Sequence, residues 1–270
     1  MASVSPKPGS LSLLLRSAGI QARVIGALLM RELHTRYGRD NIGYLWLIAE
    51  PMMLATVIGS FHMSGHTEYG SDIKPLPLTV LGYTIYIIFR GIVSRSEGAL
   101  ESNAPLMFHK MVTVLDIVLS RAILEGAGVG MTIVILFSIF VAAGLAEPPA
   151  RPLYLISAIF LVWWYSLANS LIIVAISHDN RTIGRLVHPY AYFMIPVSAS
   201  FFQVEWLPHP FRELILWVPL PHMMEMARYG WFRSATSQYF SPVYALGSCM
   251  VLTWTGLLLC RLVRSRIHVQ

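Results

Sequence analysis

The chain has 270 residues, of which 55% are hydrophobic and 13% charged, with a mean hydropathy of +0.59. A soluble domain carries about a quarter charged residues, so this composition excludes an ordinary soluble enzyme and describes one helical membrane domain with little chain left for a second. The net charge of +6 does not call for nucleic acid, because the basic residues flank apolar stretches as orientation signals do.

Near the amino terminus, the run Leu11–Leu15 is too short for a signal-peptide core and Arg16 follows it closely, so no cleaved signal is expected. Residues 18–40 read as an amphipathic helix on the inner membrane surface. Ile20, Val24 and Leu28 share one face, and Ile25, Leu29 and Leu33 repeat at helical spacing. Arg23, Arg31 and Arg36 would reach headgroups or an acidic partner, and both readings, anchor and partner dock, stay open. With Arg39, the basic residues precede a span-length apolar run that carries Glu50 followed by Pro51. A carboxylate and a helix-breaking proline at that depth call for protein or water around them rather than lipid. A hydrogen-bonded packing role for Glu50 is the alternative.

Six apolar segments approach the roughly 20 residues that cross a bilayer: 42–61, 76–93, 122–146, 153–177, 186–206 and 243–263. An even count puts both termini on one side. With the termini inside, fifteen of the twenty Lys and Arg residues fall on the cytoplasmic side, leaving Lys74, Arg151, Arg212, Arg228 and Arg233 outside. The opposite topology would invert that bias.

In the second segment Thr79, Tyr83, Tyr86 and Arg90 step along one helical face. Phenol hydroxyls inside a membrane need partners, so this face is expected to meet protein, water or substrate. The inner connection Glu101–Thr113 presents Leu106, Met107 and Phe108 after a capping residue at Asn103 and Pro105; a protein contact and immersion in interfacial lipid are equally open. Arg121 and Glu125, four apart, are expected to form a local ion pair. Trp163, Trp164 and Tyr165 lie near mid-span, away from the aromatic belts, where they either line a lumen or pack between helices.

The outer segment Trp217–Arg228 reads WVPLPHMMEMAR, with His222, Glu225 and Arg228 three apart on one face. No further ligand cluster accompanies the His-x-x-Glu pattern, so a polar network capping short proline-started helices is expected in place of a metal. Cys249 and Cys260 read as packing residues. No GxxxxGK[S/T] loop occurs, so any nucleotide hydrolysis resides in a separate chain. The scattered acidic residues form no acid–base constellation, which leaves little for a membrane-embedded glycosyltransferase or acyltransferase.

Three stretches, RELHTRYGRDNIGYLWLIAEP from Arg31, LSRAILE from Leu119 and WVPLPHMMEMAR, resemble in order and spacing the ABC-2 type permeases that export bacterial capsular polysaccharide. The likeness covers nearly the whole chain. The third stretch is shared with O-antigen and teichoic-acid exporters, and Val218 stands where the family often has Asn.

The resemblance implies an all-α integral membrane fold: six transmembrane helices, an amino-terminal interface helix, and short re-entrant periplasmic helices between spans five and six. It implies a single transmembrane domain over 1–270, comprising interface helix 18–40, six-span region 42–263 and cytoplasmic tail 264–270, in the bacterial inner membrane. It further implies a transport subunit rather than an enzyme: a homodimer joined to ABC ATPase subunits that bind ATP and Mg2+. A periplasmic polysaccharide co-polymerase, an outer-membrane export protein and a lipid-linked, often acidic glycan would complete the system. An O-antigen or other glycolipid exporter is the neighbouring reading.

The implied sites are three. The conduit would take Glu50, Tyr83, Tyr86, Arg90, Trp163 and Trp164. ATPase coupling would take Arg31, Arg36, Arg39, Asn103, Pro105, Phe108 and Lys110. A periplasmic gate would take His222, Glu225 and Arg228.

Overall fold

The computed structural model describes residues 10–38, 43–63, 72–107 and 112–267, and among them every regular element is helical. In chain order these are α1 (Ser10–Tyr37), α2 (Gly43–Met63), α3 (Pro75–Ser94), α4 (Ala104–Met107), α5 (Val114–Ala142), α6 (Pro152–Asp179), α7 (Arg181–Arg185), α8 (Val187–Val197), α9 (His209–Ile215), α10 (Pro219–Trp231) and α11 (Pro242–Ile267).

The starts of these helices follow from local chemistry. Proline opens α3, α6, α10 and α11, where its missing N–H costs nothing and its fixed φ suits the first turn. Thr113 and Asp116 form a reciprocal capping box at α5. Thr113 Oγ1 accepts from the Asp116 N–H at 3.3 Å, and Asp116 Oδ2 accepts from the Thr113 N–H at 2.8 Å.

Four described helices are long and apolar enough to cross a membrane: α3, α5, α6 and α11. Their burial differs and fixes their places. The apolar window of α3 is 83% buried, so α3 is the central helix; that of α11 is 22% buried, so α11 lies at the periphery against α6. In α2 the apolar stretch Leu45–Phe61 is shorter. Pro51 interrupts its ladder, and in the turn before it Thr132 of α5 donates to Ile48 O, 3.3 Å away.

Two expectations are corrected here. The first helix, α1, begins at Ser10, well before residue 18. The expected fifth span, 186–206, is not one helix: α8 stops at Val197, after Pro196, and the chain turns through 198–203 before a single 3-10 turn at Val204–Trp206. Ala199 adopts φ of 57°, and the turn presses on α3 so closely that a Cβ at Gly82 would overlap Ser200 O. Arg228, reaching from α10, supplies donors to that turn.

The charges segregate to the two ends of the bundle. At one end Arg233 N–H donates to Asp72, Lys74 Nζ approaches Gly144 O, and Arg151 Nη1 donates to Tyr229 O at 2.8 Å. At the other end Arg36, Arg95, Arg121, Glu32 and Glu125 gather. Lys74, Arg151 and Arg233 thus stand near one end of α3 and α5, and Arg36, Arg95 and Arg121 near the other.

Candidate functional site

A cavity of about 460 Å³ opens between α2, α3, α5 and α8, with the end of α1 at its rim. Glu50 and Pro51 face it from α2, Tyr83 and Arg90 from α3, Glu125 from α5, and His188 and Tyr192 from α8. Arg90 lies with its guanidinium carbon 4.6 Å over the Tyr192 ring and donates from Nη2 to Tyr192 Oη at 2.7 Å. Tyr83 stacks on Phe201 with centroids 5.9 Å apart. Glu50 is exposed on the protomer surface, so its carboxylate is open to water or to whatever covers this face. Both signs of charge, phenol edges and aromatic faces therefore share one space bounded by apolar helices. Such a space can hold a hydroxyl-rich ligand, hydrogen-bonding its polar edges and stacking on its C–H faces.

The remaining conduit candidates lie elsewhere. Tyr86 is fully buried against Phe89 and donates its hydroxyl to Ala191 O, tying α3 to α8. It packs behind the cavity rather than lining it. Trp163 Nε1 donates to Ala122 O at 2.7 Å and Trp164 Nε1 to Thr253 Oγ1 at 2.9 Å. Both indoles are bound between α6 and its neighbours α5 and α11, and neither joins Glu50 and Arg90 at the cavity.

At the rim of the cavity next to α1 an ion-pair cluster replaces the expected local pair. Glu125 binds Arg36 at 2.5 Å and Arg95 at 2.7 Å, while Arg121 approaches Glu32 at 3.3 Å. Arg36 also binds Glu32 at 2.5 Å. Burial works to raise the Glu32 carboxyl pKa, but the charges of Arg36 and Arg121 outweigh it and hold the group below its usual range. Gln21 donates to Asp116 further along the same α1–α5 contact.

Sequence reasoning picked Arg36 but missed Glu32 and Glu125 as its partners, and Arg95 as the second cation on Glu125. The available signal was two charge pairs of opposite order, Glu32–Arg36 and Arg121–Glu125, which match when the helices cross.

Of the other coupling candidates, Arg31 and Pro105 are exposed. Asn103 is buried and donates its amide to Ala99 O at 2.8 Å, tying the connection back on itself. Arg39, Phe108 and Lys110 lie outside the described residues.

At the opposite end His222, Glu225 and Arg228 are brought together on α10, all buried. Arg228 Nη1 donates to Glu225 Oε1 at 2.7 Å, and Nη2 donates to Ala199 O and, at 3.1 Å, to Ser200 O. Glu225 Oε1 also accepts the Val204 N–H at 2.9 Å. His222 Nδ1 accepts the Ser241 N–H at 3.1 Å, which makes Nε2 the protonated nitrogen that donates to Leu216 O at 2.8 Å. The three side chains clamp the broken segment after α8 and the loop before α11. Among the described residues no cluster of three His, Cys, Asp or Glu side chains suits a metal ion.

Membrane-length apolar helices beside a charge-lined cavity describe a membrane protein with a polar interior. The chain belongs to the ABC-2 type transporter family, whose sequence pattern matches residues 23–232. It is 36% identical over 241 residues to the capsule polysaccharide export inner-membrane protein CtrC of Neisseria meningitidis serogroup B, covering 89% of this chain and 91% of that one. It is 32% identical over 255 residues to the capsule polysaccharide export inner-membrane protein BexB of Haemophilus influenzae, covering 94% and 96% of the two chains. With the polysialic acid transport protein KpsM of Escherichia coli it shares 28% identity over 247 residues, 90% and 94% of the two chains.

Proposed function

We propose that this chain is the membrane-spanning permease of an ATP-driven exporter that carries lipid-linked capsular polysaccharide across the bacterial inner membrane. The observation that carries the reading is the cavity in which Glu50, Tyr83, Arg90 and Tyr192 face one another among apolar helices. Hydrocarbon does not accommodate such groups, whereas a hydrated glycan does. The names of the relatives support the substrate class.

In this reading one transmembrane domain crosses the membrane six times with both termini in the cytoplasm. Span one is α2, span five is α8 with the segment beyond it, and α9 and α10 are re-entrant from the periplasmic side. Two copies pair across the open face that bears Glu50, and the glycan passes between them. Tyr86, Trp163 and Trp164 support that wall from behind.

Nucleotide hydrolysis belongs to a separate ABC ATPase that binds ATP and Mg2+. It docks on α1 and the inner connection through Arg31, Arg39, Pro105, Phe108 and Lys110, while Arg36 and Asn103 brace these elements from within. The clamp of His222, Glu225 and Arg228 forms the periplasmic exit, which leads to a polysaccharide co-polymerase and an outer-membrane export protein.

The test is to delete the gene in its host and locate the polymer. Full-length lipid-linked polysaccharide trapped in the cytoplasm is expected. Normal surface polymer would refute the reading, and loss of polymer inside and out would favour a biosynthetic enzyme.

A further inference from the structure

One carboxylate at the inner end of the bundle joins three elements. Glu125 Oε1, on α5, accepts from Arg36 of α1 at 2.5 Å and from Arg95, in the turn after α3, at 2.7 Å. Its other oxygen lies against α3 itself, where a Cβ built at Gly91 would come within 2.8 Å of Glu125 Oε2. Arg121, one turn earlier on α5, makes the complementary contacts. Its Nε approaches Glu32 of α1 at 3.3 Å, Nη1 donates to Arg95 O at 3.0 Å, and Nη2 donates to Ser102 Oγ at 3.1 Å. The cluster thus ties the surface helix, the inner connection and α3 to one point on α5. It is also part of the cavity wall, because Glu125 and Arg95 line the same space as Glu50 and Arg90.

Arg36 and Glu125, both largely buried, do not separate without leaving buried charge short of a partner, while Arg95, 40% exposed at its side chain, holds the same oxygen from the solvent side. The cluster therefore moves as a unit or re-pairs as a whole, which is how a small displacement at one side of a packed junction becomes a discrete change at the other.

We propose that Glu125 is a positioning residue for coupling. By holding Arg36 and Arg95 on one oxygen, it delivers a displacement of α1 or the inner connection to the Arg90-bearing end of α3, and so sets the width of the cavity. This inference rests on the exporter reading above.

The experiment uses the full-length permease in complex with its ATPase, comparing wild type with Glu125→Gln and Arg95→Gln. Polymer exported in cells and ATP hydrolysed by the purified complex are both measured, and their ratio is the readout. Glu125→Gln is expected to leave assembly and hydrolysis in place while polymer exported per ATP falls roughly tenfold, within the usual range of coupling between sites. Arg95→Gln, whose side chain is 40% exposed, is expected to move the ratio the same way by a smaller factor while α1 stays attached through Arg36.

An unchanged ratio in both variants overturns the proposal, as does a loss of export and hydrolysis in equal proportion, which marks a purely structural role. If Glu125→Gln does not assemble, the ratio for Arg95→Gln decides alone. A wild-type protein that neither binds an ATPase nor exports polymer overturns the exporter reading itself, and this inference with it.

Discussion

Replacing Arg228 by methionine keeps most of the side-chain volume and removes the charge. Arg228 is 1% exposed and donates to Glu225, Ala199 O and Ser200 O. Breaking a buried pair from one side costs about 3–5 kcal/mol, because Glu225 is left buried with only the Val204 N–H as a partner. Each carbonyl of the 198–200 turn that loses its donor adds a desolvation penalty of about 1–3 kcal/mol, not additively.

At roughly 2–4 °C per kcal/mol for a chain of this size, even the lower figure of about 3 kcal/mol lowers the apparent Tm by at least about 6 °C. The assay is thermal unfolding of the purified protein followed by tryptophan fluorescence. The double variant Glu225→Gln/Arg228→Met should recover part of the loss, since the orphaned charge is gone, but not all of it, since the turn carbonyls remain unmatched. An Arg228→Met protein that melts within about 1 °C of wild type would refute the account, since buried network residues exceed the roughly 0.5 kcal/mol range of surface substitutions.

Three further outcomes are expected. Glu50→Leu should abolish or strongly reduce surface polymer while changing stability by no more than about 0.5 kcal/mol, because the carboxylate is exposed on the protomer; quantifying capsule beside a melting curve checks both parts. Gly82→Ala places a methyl into Ser200 O and should destabilise by about 1–3 kcal/mol, read as a lower apparent Tm; an unchanged melt would mean that the turn is free to withdraw from α3. The Glu32 carboxyl is held low by Arg36 and Arg121, so the folded state binds fewer protons there than the unfolded chain. Its contribution to docking α1 is complete above the ordinary carboxylate range and is lost as pH falls through the depressed folded value. A spin-label distance between α1 and α5 should hold constant on acidification until below that range, and a change near neutral pH would contradict the assignment.

Local pattern was enough for the helices that bury one continuous apolar surface. The segments expected at 76–93, 122–146, 153–177 and 243–263 correspond to α3, α5, α6 and α11, with ends shifted where Thr113 or a proline sets the start. Glu50 stood out in sequence because its oddity is local, and the structure places it at the cavity.

The break after α8 was not legible. Residues 186–206 read as one apolar stretch, and what stabilises the turn inside it is an arginine from a different helix, distant in sequence. The partners of the Trp163 and Trp164 indoles were hidden for a related reason. Position along a helix gives depth, but which side meets Ala122 and Thr253 depends on how α6 is rotated against α5 and α11. The Glu125 cluster lies between these cases, its charges visible in sequence and their pairing hidden until two helices cross.

The interruption at 198–200 leaves α8 as a short rod of 11 residues, a length of about 16 Å at 1.5 Å per residue. It is pinned at its outer end by the Arg228 clamp, and it carries Tyr192 and His188 at the cavity. A swing of about 10° about that pin carries its inner tip through about 3 Å on the same helical rise. Such a swing needs the Tyr86 hydroxyl to leave Ala191 O and Arg90 to leave Tyr192, so two hydrogen bonds from α3 latch the mouth of the chamber while the Arg228 clamp holds its far end.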